Sequence, residues 1–476
     1  MIDNDTFKPK PIVNGLWQIA DMERNGAQLD QSDIKTSIEQ YIDNGLTDFD
    51  MADHYGSAEV IMGEYQKQSS NPDLKLFTKW VPKPGKLTEQ EIREAVQRSL
   101  DRLQTEQIEL LQYHAWNYAD PSWLDQLFAL TKMREEGYIK QLGLTNTDAA
   151  HLKLALDSGI PIVSNQISFS LLDRRAQKYM TSVCSMYGVK ILAFGTLAGG
   201  FLSERWLDKE EPKLDALATW SQMKYKRYID EIGGWKSFQQ SLQKLKSLAD
   251  QHEVTIANLA TAFVLNHHAV GSVIIGGRLG HSAHIENNLH ILQMNYTDEL
   301  HKQIESAIAP LKELDRNCGD EYRNPPYLTA AGDLSDHLDS LPAPYSTRRM
   351  ANGTTLVKTG TIWEEMASYS RAIKKGNRIL VSGTTATHGN LVIGGDDPYS
   401  QTQFIIDKIE GSLQSLGASL RDVIRTRIYL KDKSLWEPVS RAHGERFSGI
   451  DPTNTLVQAD LIGEEYLVEM EAEAMI

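Results

Sequence analysis

The sequence predicts an α/β protein, a closed (β/α)8 TIM barrel followed by a smaller α+β domain. Two observations lead to this fold class. The chain of 476 residues is too long for one ordinary core. Short β-rich segments also alternate with amphipathic helical segments from residue 10 to about residue 300. Eight such units favour the closed barrel. An open doubly wound sheet is the alternative, but no G-x-G-x-x-G motif follows the first strand.

Each of the eight predicted strands is a short run rich in apolar and β-branched residues. The predicted strands are residues 12–19, 46–52, 74–80, 108–114, 139–145, 160–167, 189–195 and 272–277. Residues 87–103 illustrate the helices between them, because Thr88 and Glu91 have the spacing of a capping box. One apolar stripe runs along this helix and comprises Ile92, Ala95, Val96, Leu100 and Leu103.

Two further segments interrupt the regular alternation. Residues 199–235 follow the seventh strand and are rich in Trp, Tyr and Lys. A long segment at this position shapes substrate specificity, packs as a cap on the barrel, or does both. Residues 318–338 are punctuated by Pro and Gly and are not helical in pattern. They predict an extended tail or linker that lies across the barrel.

The C-terminal region has a different order of elements. Residues 372–386 predict a strand, residues 401–432 a helix and a strand, and residues 436–450 a helix. Two further strands are predicted within residues 454–461 and 466–476. The chain is therefore divided into a barrel, a linker and an α+β domain. The predicted bounds are 1–315 for the barrel, 316–354 for the linker and 355–476 for the last domain.

The composition excludes several classes of protein. Hydrophobic residues make up 41% and charged residues 24%, as in globular proteins. The net charge of −15 argues against a nucleic-acid partner. Two cysteines, Cys184 and Cys318, fit a reducing compartment. The N-terminus has no apolar signal core, and no segment is long enough to span a membrane. We expect a cytoplasmic protein with no membrane partner and no metal site.

Four residues near the ends of predicted strands carry the chemistry. Asp50 and Tyr55 follow the second strand, Lys79 ends the third and His114 ends the fourth. In a (β/α)8 barrel these ends meet at one rim, where the active site is built. A lysine paired with a carboxylate is expected to lower the pKa of a nearby tyrosine, which then donates a proton to a carbonyl oxygen. The imidazole on the far side orients that carbonyl or joins the proton relay.

The sequence resembles the aldo-keto reductase family over about two thirds of the chain. The matching stretches are FDMADHYGSAE (49–59), FTKW (77–80), SLDRLQTEQIELLQYH (99–114), GYIKQLGLTN (137–146), NQISFSLL (165–172) and ILAFGTLAGGFL (191–202). The resemblance implies a reductase of a small-molecule aldehyde or ketone. It implies Tyr55 as the general acid, Lys79 and Asp50 as its tuning pair, and His114 as the residue that orients the carbonyl.

The same resemblance implies residues that bind a nicotinamide cofactor. Asn146 and Gln166 match positions that bind its carboxamide, and Phe194 matches an aromatic ring that stacks on it. Trp17 matches a residue near the substrate carbonyl. Two amides and a flat ring would fix one face of the nicotinamide toward the substrate.

For the adenosine phosphate, residues 274–289 resemble the last strand and helix of the family. Gly276 and Gly277 are expected to leave the backbone open, and Arg278 supplies one guanidinium for the 2′-phosphate. Further candidates for the phosphate and the adenine are Ser282, Asn287 and Asn288. NADP(H) is therefore favoured over NAD(H).

The C-terminal domain resembles the Rid family of reactive enamine/imine deaminases, which form trimers with sites at subunit interfaces. The resemblance therefore implies a homo-oligomer, with a trimer as the expected state. Rid enzymes carry an arginine in a Pro-x-Arg-x-x-Val motif, whereas the corresponding run PTNTLV (452–457) has Asn454. An amide does not replace a bidentate arginine on a carboxylate. A different polar pocket is possible from Tyr369, Arg371, Arg427 and Glu469.

Three functions remain open on the sequence. The favoured one is an NADPH-dependent reductase with an appended Rid-like domain for oligomerisation or ligand binding. A second is a bifunctional enzyme whose C-terminal domain hydrolyses an imine or enamine and whose barrel reduces the released carbonyl. The third is a non-enzymatic, cofactor-binding regulatory subunit. The sequence identifies neither the substrate nor the physiological direction.

Overall fold

The computed structural model describes residues 7–24, 30–69, 71–277, 279–280, 284–330 and 332–476. Within these ranges, eight parallel strands close a barrel in chain order, and the eighth pairs with the first. The strands are β1 (Ile12–Gly15), β2 (Asp48–Asp50), β3 (Lys75–Trp80), β4 (Ile108–Tyr113), β5 (Ile139–Thr145), β6 (Ile162–Ser168), β7 (Lys190–Phe194) and β8 (Val270–Gly276). The predicted closed barrel is confirmed.

Helices surround the barrel and follow its strands. In the described part they are α1 (Trp17–Arg24), α2 (Gln31–Asp43), α3 (Ala58–Gln68), α4 (Glu89–Leu103), α5 (Ser122–Glu135), α6 (Ala149–Asp157), α7 (Tyr179–Tyr187), α8 (Trp220–Glu231), α9 (Gly234–Gln251), α10 (Ile256–Leu265), α11 (Ile285–Gln293) and α12 (Asp298–Ile308). In α4, Thr88 and Glu91 make both hydrogen bonds of the predicted capping box. The five residues of its predicted stripe are all buried.

The first strand is shorter than the sequence predicted. Residues 12–19 were expected to form one strand, but β1 ends at Gly15 and α1 begins at Trp17. The reason is that a short apolar run fits a buried strand and a buried helix equally well. This correction puts Trp17 at the start of a helix at the rim of the barrel.

The long segment after β7 packs as a cap. The rings of Trp206 and Trp235 lie 4.6 Å and 5.9 Å from that of Phe201, and Tyr225 and Tyr228 of α8 are buried. The hydroxyl of Tyr225 approaches Gly195 so closely that a Cβ there would lie 1.8 Å from it. This segment therefore has a core of its own, which continues into the end of β7.

The C-terminal part is a mixed sheet with a small hairpin beside it. Its strands are β9 (Ser346–Arg349), β10 (Thr355–Lys358), β11 (Ala372–Lys375), β12 (Arg378–Thr385), β13 (Thr387–His388), β14 (Leu391–Val392), β15 (Val423–Leu430), β16 (Thr453–Gln458) and β17 (Val468–Met475). Seven of them form the sheet in the order β16-β15-β17-β12-β11-β10-β9, and β13 and β14 form the hairpin. Neighbouring strands are antiparallel except for β15 and β16. The remaining helices in the described chain are α13 (Asp320–Arg323), α14 (Ile362–Met366), α15 (Pro398–Gln414) and α16 (Trp436–Phe447).

Two details of this sheet differ from the prediction. Strand β9 lies inside the segment expected to be linker. The sequence did not predict this strand, because its four residues are all exposed and show no apolar alternation. Residues 372–386 form two strands rather than one, and they turn at Gly376, whose φ is +61°. The division into three parts remains a prediction, with the sheet beginning at Ser346.

Helix α15 packs between the sheet and helix α6 of the barrel. The contact is polar and buried: the ammonium of Lys153 lies 2.8 Å from Asp397, and His151 Nε2 lies 3.2 Å from Asp407. The backbones also approach closely, since a Cβ at Gly411 would lie 2.2 Å from the Ala119 carbonyl oxygen. The two parts therefore share one interior at this contact. Among the described residues, no helix has the length and apolar character needed to cross a membrane.

Candidate active site

All four predicted catalytic residues lie at the C-terminal rim of the barrel, and Asp50, Tyr55 and Lys79 lie against one another there. Asp50 ends β2, Lys79 lies in β3, and Tyr55 lies in the turn that leads from β2 to α3. The ammonium of Lys79 donates to Asp50 Oδ2 at 2.5 Å and to the Met51 carbonyl at 2.8 Å. It also lies 4.7 Å from the centre of the Tyr55 ring. The charge of Lys79 is therefore held beside the tyrosine.

The second oxygen of Asp50 binds two amides in the barrel interior. Asp50 Oδ1 accepts hydrogen bonds from Gln112 Nε2 at 2.9 Å and from Gln166 Nε2 at 2.8 Å. Gln112 was not predicted, although a polar residue inside the apolar run of β4 was a signal for it. The side-chain nitrogen of Gln166 is thus committed to Asp50 and to Gln112 Oε1, at 2.8 Å.

The pKa of Tyr55 beside Lys79 is shifted in the direction opposite to the expectation. Burial of its hydroxyl raises the pKa of Tyr55, and the carboxylates of Asp50 and Asp53 raise it further. The sequence predicted a lowered pKa, but the carboxylate that holds Lys79 also faces the tyrosine. Burial lowers the pKa of Lys79, while Asp50 opposes that change. Tyr55 therefore carries its proton at neutral pH, as a proton donor must.

His114 follows β4 at the same rim. Lys79 and Gln112 are paired in the β3–β4 register, so His114 lies two residues beyond the partner of Lys79. Burial holds the pKa of His114 well below its usual value, and Arg323 lowers it further. Its ring nitrogens make no hydrogen bond of good geometry within the described chain, although the Thr145 carbonyl is near enough to raise that pKa. The neutral imidazole can donate one N–H to a carbonyl oxygen.

The residues predicted to bind the nicotinamide surround this rim. The ring of Trp17 lies 5.0 Å from that of Tyr55, edge to face. Asn146 has a φ of +55°, and within the described residues its buried Oδ1 has no hydrogen-bond partner. Phe194 ends β7 and is half-buried. An unpaired amide oxygen suits the N–H groups of a carboxamide, so these residues fit a nicotinamide.

The predicted phosphate-binding backbone is less open than expected. Gly276 ends β8 and is exposed, but the N–H of Gly277 donates to the Gly15 carbonyl at 2.9 Å. The amide of Gly277 is therefore used in closing the barrel. This corrects the expectation that both glycines leave their backbone free.

The other residues predicted for the adenosine phosphate are placed only in part. Asn287 and Asn288 lie in α11. The side chain of Asn288 is buried. The backbone carbonyl of Asn287 accepts a hydrogen bond from the Asn258 side chain at 2.9 Å. Arg278 and Ser282 lie outside the described residues.

The linker and helix α8 each contribute one residue that the sequence did not reveal. The ring of Tyr322 lies 6.1 Å from that of His114, and its hydroxyl accepts from the Lys224 ammonium at 2.8 Å. That ammonium also lies 4.8 Å from the centre of the Phe194 ring. Lys224 lies in α8 and Tyr322 in α13, 98 residues apart in the chain, so no sequence pattern could have linked them to the site.

The polar residues predicted in the C-terminal domain separate into two groups. Arg371 donates to the Gly383 carbonyl and, at 3.1 Å, to the Tyr369 hydroxyl, and its charge acts on the half-buried Glu469. Burial raises the pKa of Glu469. Arg427 instead pairs with Glu471.

Asn454 lies on strand β16 at the edge of the sheet. It is exposed, and its Oδ1 accepts from the Thr426 hydroxyl at 3.2 Å. No group of three or more side chains suited to a metal ion occurs in the part of the chain that the structure describes.

The closed barrel, together with the family match, makes the protein an oxidoreductase that acts on carbonyl compounds. The chain belongs to the aldo/keto reductase family, whose model matches residues 11–309. Members of this family use nicotinamide cofactors. The family described as endoribonuclease L-PSP, which includes the Rid proteins, matches residues 359–476. Both resemblances stated from the sequence are confirmed.

Individual relatives match one part of the chain each. Pyridoxal reductase of Arabidopsis thaliana chloroplasts is 26% identical over 317 residues, covering 62% of this chain and 82% of that protein. A RutC family protein of Pyrococcus abyssi is 36% identical over 109 residues, covering 22% and 84%. The solved structure of a glycerol dehydrogenase from Gluconobacter oxydans is 21% identical with a TM-score of 0.53, covering 65% and 94%. This last likeness shows the fold alone.

Proposed function

We propose that the chain is an NADPH-dependent reductase of aldehydes or ketones, with its active site at the rim of the barrel. The observation that carries the proposal is the buried Lys79–Asp50 pair against the ring of Tyr55. Such a pair costs free energy to bury and is retained where its charge has a use. Proton donation by a tyrosine that holds its proton at neutral pH is such a use.

The proposed chemistry divides the work among the rim residues. When bound, the nicotinamide supplies the hydride that reduces the carbonyl carbon. Tyr55 gives its proton to the carbonyl oxygen, so the product is an alcohol, and solvent later returns a proton to Tyr55. Lys79 stabilises the phenolate left behind, and Asp50 keeps Lys79 in place. His114 donates to the carbonyl oxygen and fixes its direction.

Four residues are proposed to bind the cofactor. Trp17, Asn146 and Phe194 would place the nicotinamide, and Arg278 would favour the 2′-phosphate of NADPH. The preference for NADPH rests on Arg278 in the sequence. Arg278→Gln is expected to weaken NADPH binding roughly 10-fold or more and to leave NADH binding nearly unchanged. Equal losses for both cofactors would remove Arg278 from this role.

The deciding experiment compares Tyr55→Phe with wild type in NADPH consumption. The panel holds aldehydes, ketones and quinones, with pyridoxal included because one relative is a pyridoxal reductase. We expect the variant to lose activity by about two orders of magnitude or more, since it lacks the general acid. Tyr65→Phe, which removes a hydroxyl from helix α3 away from the rim, is the matched control and is expected to retain activity.

Two outcomes would count against the reductase. If Tyr55→Phe turned over as fast as wild type, Tyr55 would not be the general acid. If wild type bound NADPH but reduced no compound in the panel, the third function, a cofactor-binding regulatory subunit, would be favoured.

For the C-terminal domain we propose a role in oligomerisation or ligand binding. Its sheet carries α15 and α16 on one face, which leaves the other face for a second copy of the chain. A trimer would have three times the 53.5 kDa mass of one chain. Light scattering on purified protein measures that mass directly, and a monomer at micromolar concentration would contradict the role in oligomerisation.

Imine or enamine hydrolysis is the second candidate for this domain. The cluster of Tyr369, Arg371 and Glu469 favours it, whereas Asn454 does not supply the missing arginine charge. Ammonia release from 2-imino acids by the full chain, compared with Glu469→Gln, tests it. No release above the uncatalysed rate would remove this candidate.

A further inference from the structure

The linker between the two domains crosses the rim of the barrel through one buried arginine. Arg323 Nε donates to the Ala115 carbonyl at 2.7 Å, and its Nη1 donates to the Asn146 carbonyl at 2.6 Å. Ala115 directly follows His114 in the chain. One guanidinium therefore joins the segment after β4, which carries the carbonyl-orienting imidazole, to the segment after β5, which carries the carboxamide-binding amide.

The neighbouring residues fix Arg323 in this place. Glu321 accepts from Arg175 Nη1 at 2.8 Å in a fully buried pair. Gly319 has a φ of +86°, and a Cβ there would lie 1.9 Å from the Asn146 carbonyl oxygen. The face of the Tyr118 ring lies 4.8 Å from the Arg323 guanidinium. The linker is thus seated on the rim by charge, backbone contact and ring packing together.

We propose that Arg323 is a positioning residue of the active site, which holds His114 and Asn146 at the separation that the carbonyl and the nicotinamide require. This inference rests on the proposed reductase function. The linker is then part of the catalytic unit, although it lies beyond the residues that match the barrel family. The guanidinium holds Nε and Nη1 in a rigid planar fork that fits these two carbonyls, whereas a lysine ammonium is a compact charge on a flexible stem, so lysine is not equivalent to arginine here.

Arg323 also acts on His114 through its charge. Burial is the main cause of the low pKa of His114, and the guanidinium is the next. The Thr145 carbonyl opposes them, and two further titratable groups, His54 and His337, lower the pKa slightly more. Among these groups only Arg323 carries a permanent charge. Its removal is therefore expected to raise the pKa of His114 toward the ordinary value for histidine.

The test uses the full chain with Arg323→Met, Arg323→Lys and Arg316→Met. Arg316 lies in the same linker and donates to the Pro326 carbonyl from an exposed position, so it is the matched control. Three quantities are measured: the Kd for NADPH by fluorescence titration, kcat/KM for the best carbonyl, and the pKa of His114. The pKa of His114 is measured by NMR of labelled histidines. The His114 signal is assigned by its absence in the His114→Gln variant.

The two substitutions separate geometry from charge. Arg323→Met is expected to raise the Kd for NADPH roughly 10-fold, to lower kcat/KM about 100-fold, and to raise the pKa of His114. Arg323→Lys is expected to lose affinity and kcat/KM similarly but to keep the low pKa of His114, because its charge remains. Arg316→Met is expected to match wild type in all three.

The proposal is overturned if Arg323→Met stays within twofold of wild type in Kd and kcat/KM, or if the pKa of His114 does not move. If Arg323→Met fails to fold, as judged by circular dichroism, Arg323→Lys decides through Kd and kcat/KM. Failure of the reductase function has a different signature. Wild type would then reduce no carbonyl, while the Kd for NADPH and the pKa of His114 would still decide the role of Arg323.

Discussion

At the scale of single residues, Asp50 joins three other side chains of the candidate active site. Its two oxygens accept from Lys79, Gln112 and Gln166, and all four side chains are buried. No water is needed to satisfy this carboxylate, since donors from three strands reach it. The position of the Lys79 charge therefore depends on Asp50 more than on any other single residue.

Asp50→Asn removes the counter-ion of Lys79. The variant leaves a buried ammonium without a carboxylate, so the pKa of Lys79 falls further below its usual value. Breaking such a buried pair is expected to cost about 3–5 kcal/mol of unfolding free energy. The urea midpoint measures the loss. Asp101→Asn, an exposed change in α4, is the control and is expected to stay within about 0.5 kcal/mol of wild type.

The sequence was sufficient for some residues of the site and not for others. Asp50, Tyr55 and Lys79 were found because chemically matched side chains recurred at neighbouring strand ends. Arg323 was not, because its partners lie 208 and 177 residues away in the chain. Such a contact exists only after the linker has docked, and the segment itself has no periodic pattern.

At the scale of secondary-structure elements, the barrel strands were predictable because each combined an apolar run with a following amphipathic helix. The errors occur where that contrast is weak. Strand β9 is exposed throughout, and the run containing β1 continues without a break into α1. Pattern alone does not separate these cases, since the deciding contacts come from other parts of the chain.

The short helix α13 gives a test at this scale. Gly319→Ala places a methyl group against the Asn146 carbonyl oxygen and the Arg323 guanidinium, in addition to the strain of a left-handed φ. Gly353→Ala has a similar φ, +80°, but meets no atom within 4 Å. We expect Gly319→Ala to lower the melting temperature more and to weaken NADPH binding, whereas Gly353→Ala affects only stability. Equal effects would mean that the close approach is unimportant.

At the scale of the whole molecule, a buried histidine lies at the contact between α6 and α15. The ring of His151 stacks on Tyr118 at 3.6 Å and lies between Asp148 and Asp407. Burial alone would lower the pKa of His151, but the two carboxylates outweigh it and raise the pKa to about 9. The histidine is therefore charged at neutral pH. It pairs with one carboxylate of the barrel, Asp148, and with one of the C-terminal domain, Asp407.

This histidine makes stability depend on pH. Its contribution is complete below about pH 6.5, the ordinary pKa in the unfolded chain, and is lost as the pH rises through about 9. This shift in the pKa of His151 corresponds to about 3 kcal/mol of unfolding free energy. We expect the urea midpoint of wild type to fall across this range and that of Asp407→Asn to fall less. Asp125→Asn, which breaks the exposed pair with His388, is expected to keep the slope of wild type.

If the urea midpoint fell equally with pH in Asp407→Asn and in wild type, His151 would not couple the stability of the barrel to that of the C-terminal domain. Urea unfolding needs neither cofactor nor substrate, so this test is independent of the proposed reaction.

Helix α6 is synthesised well before the helix that covers it. Residues 149–157 leave the ribosome roughly 240 residues ahead of residues 397–408, an interval on the order of tens of seconds at ordinary elongation rates. From the completion of β8 at Gly276 until α15 is made, His151 and Lys153 lie on a face of the barrel that α15 does not yet cover, where water solvates them. An apolar patch in the same place would attract other nascent chains. The charged groups of this contact thus reduce the apolar surface that the barrel exposes before its second domain is made.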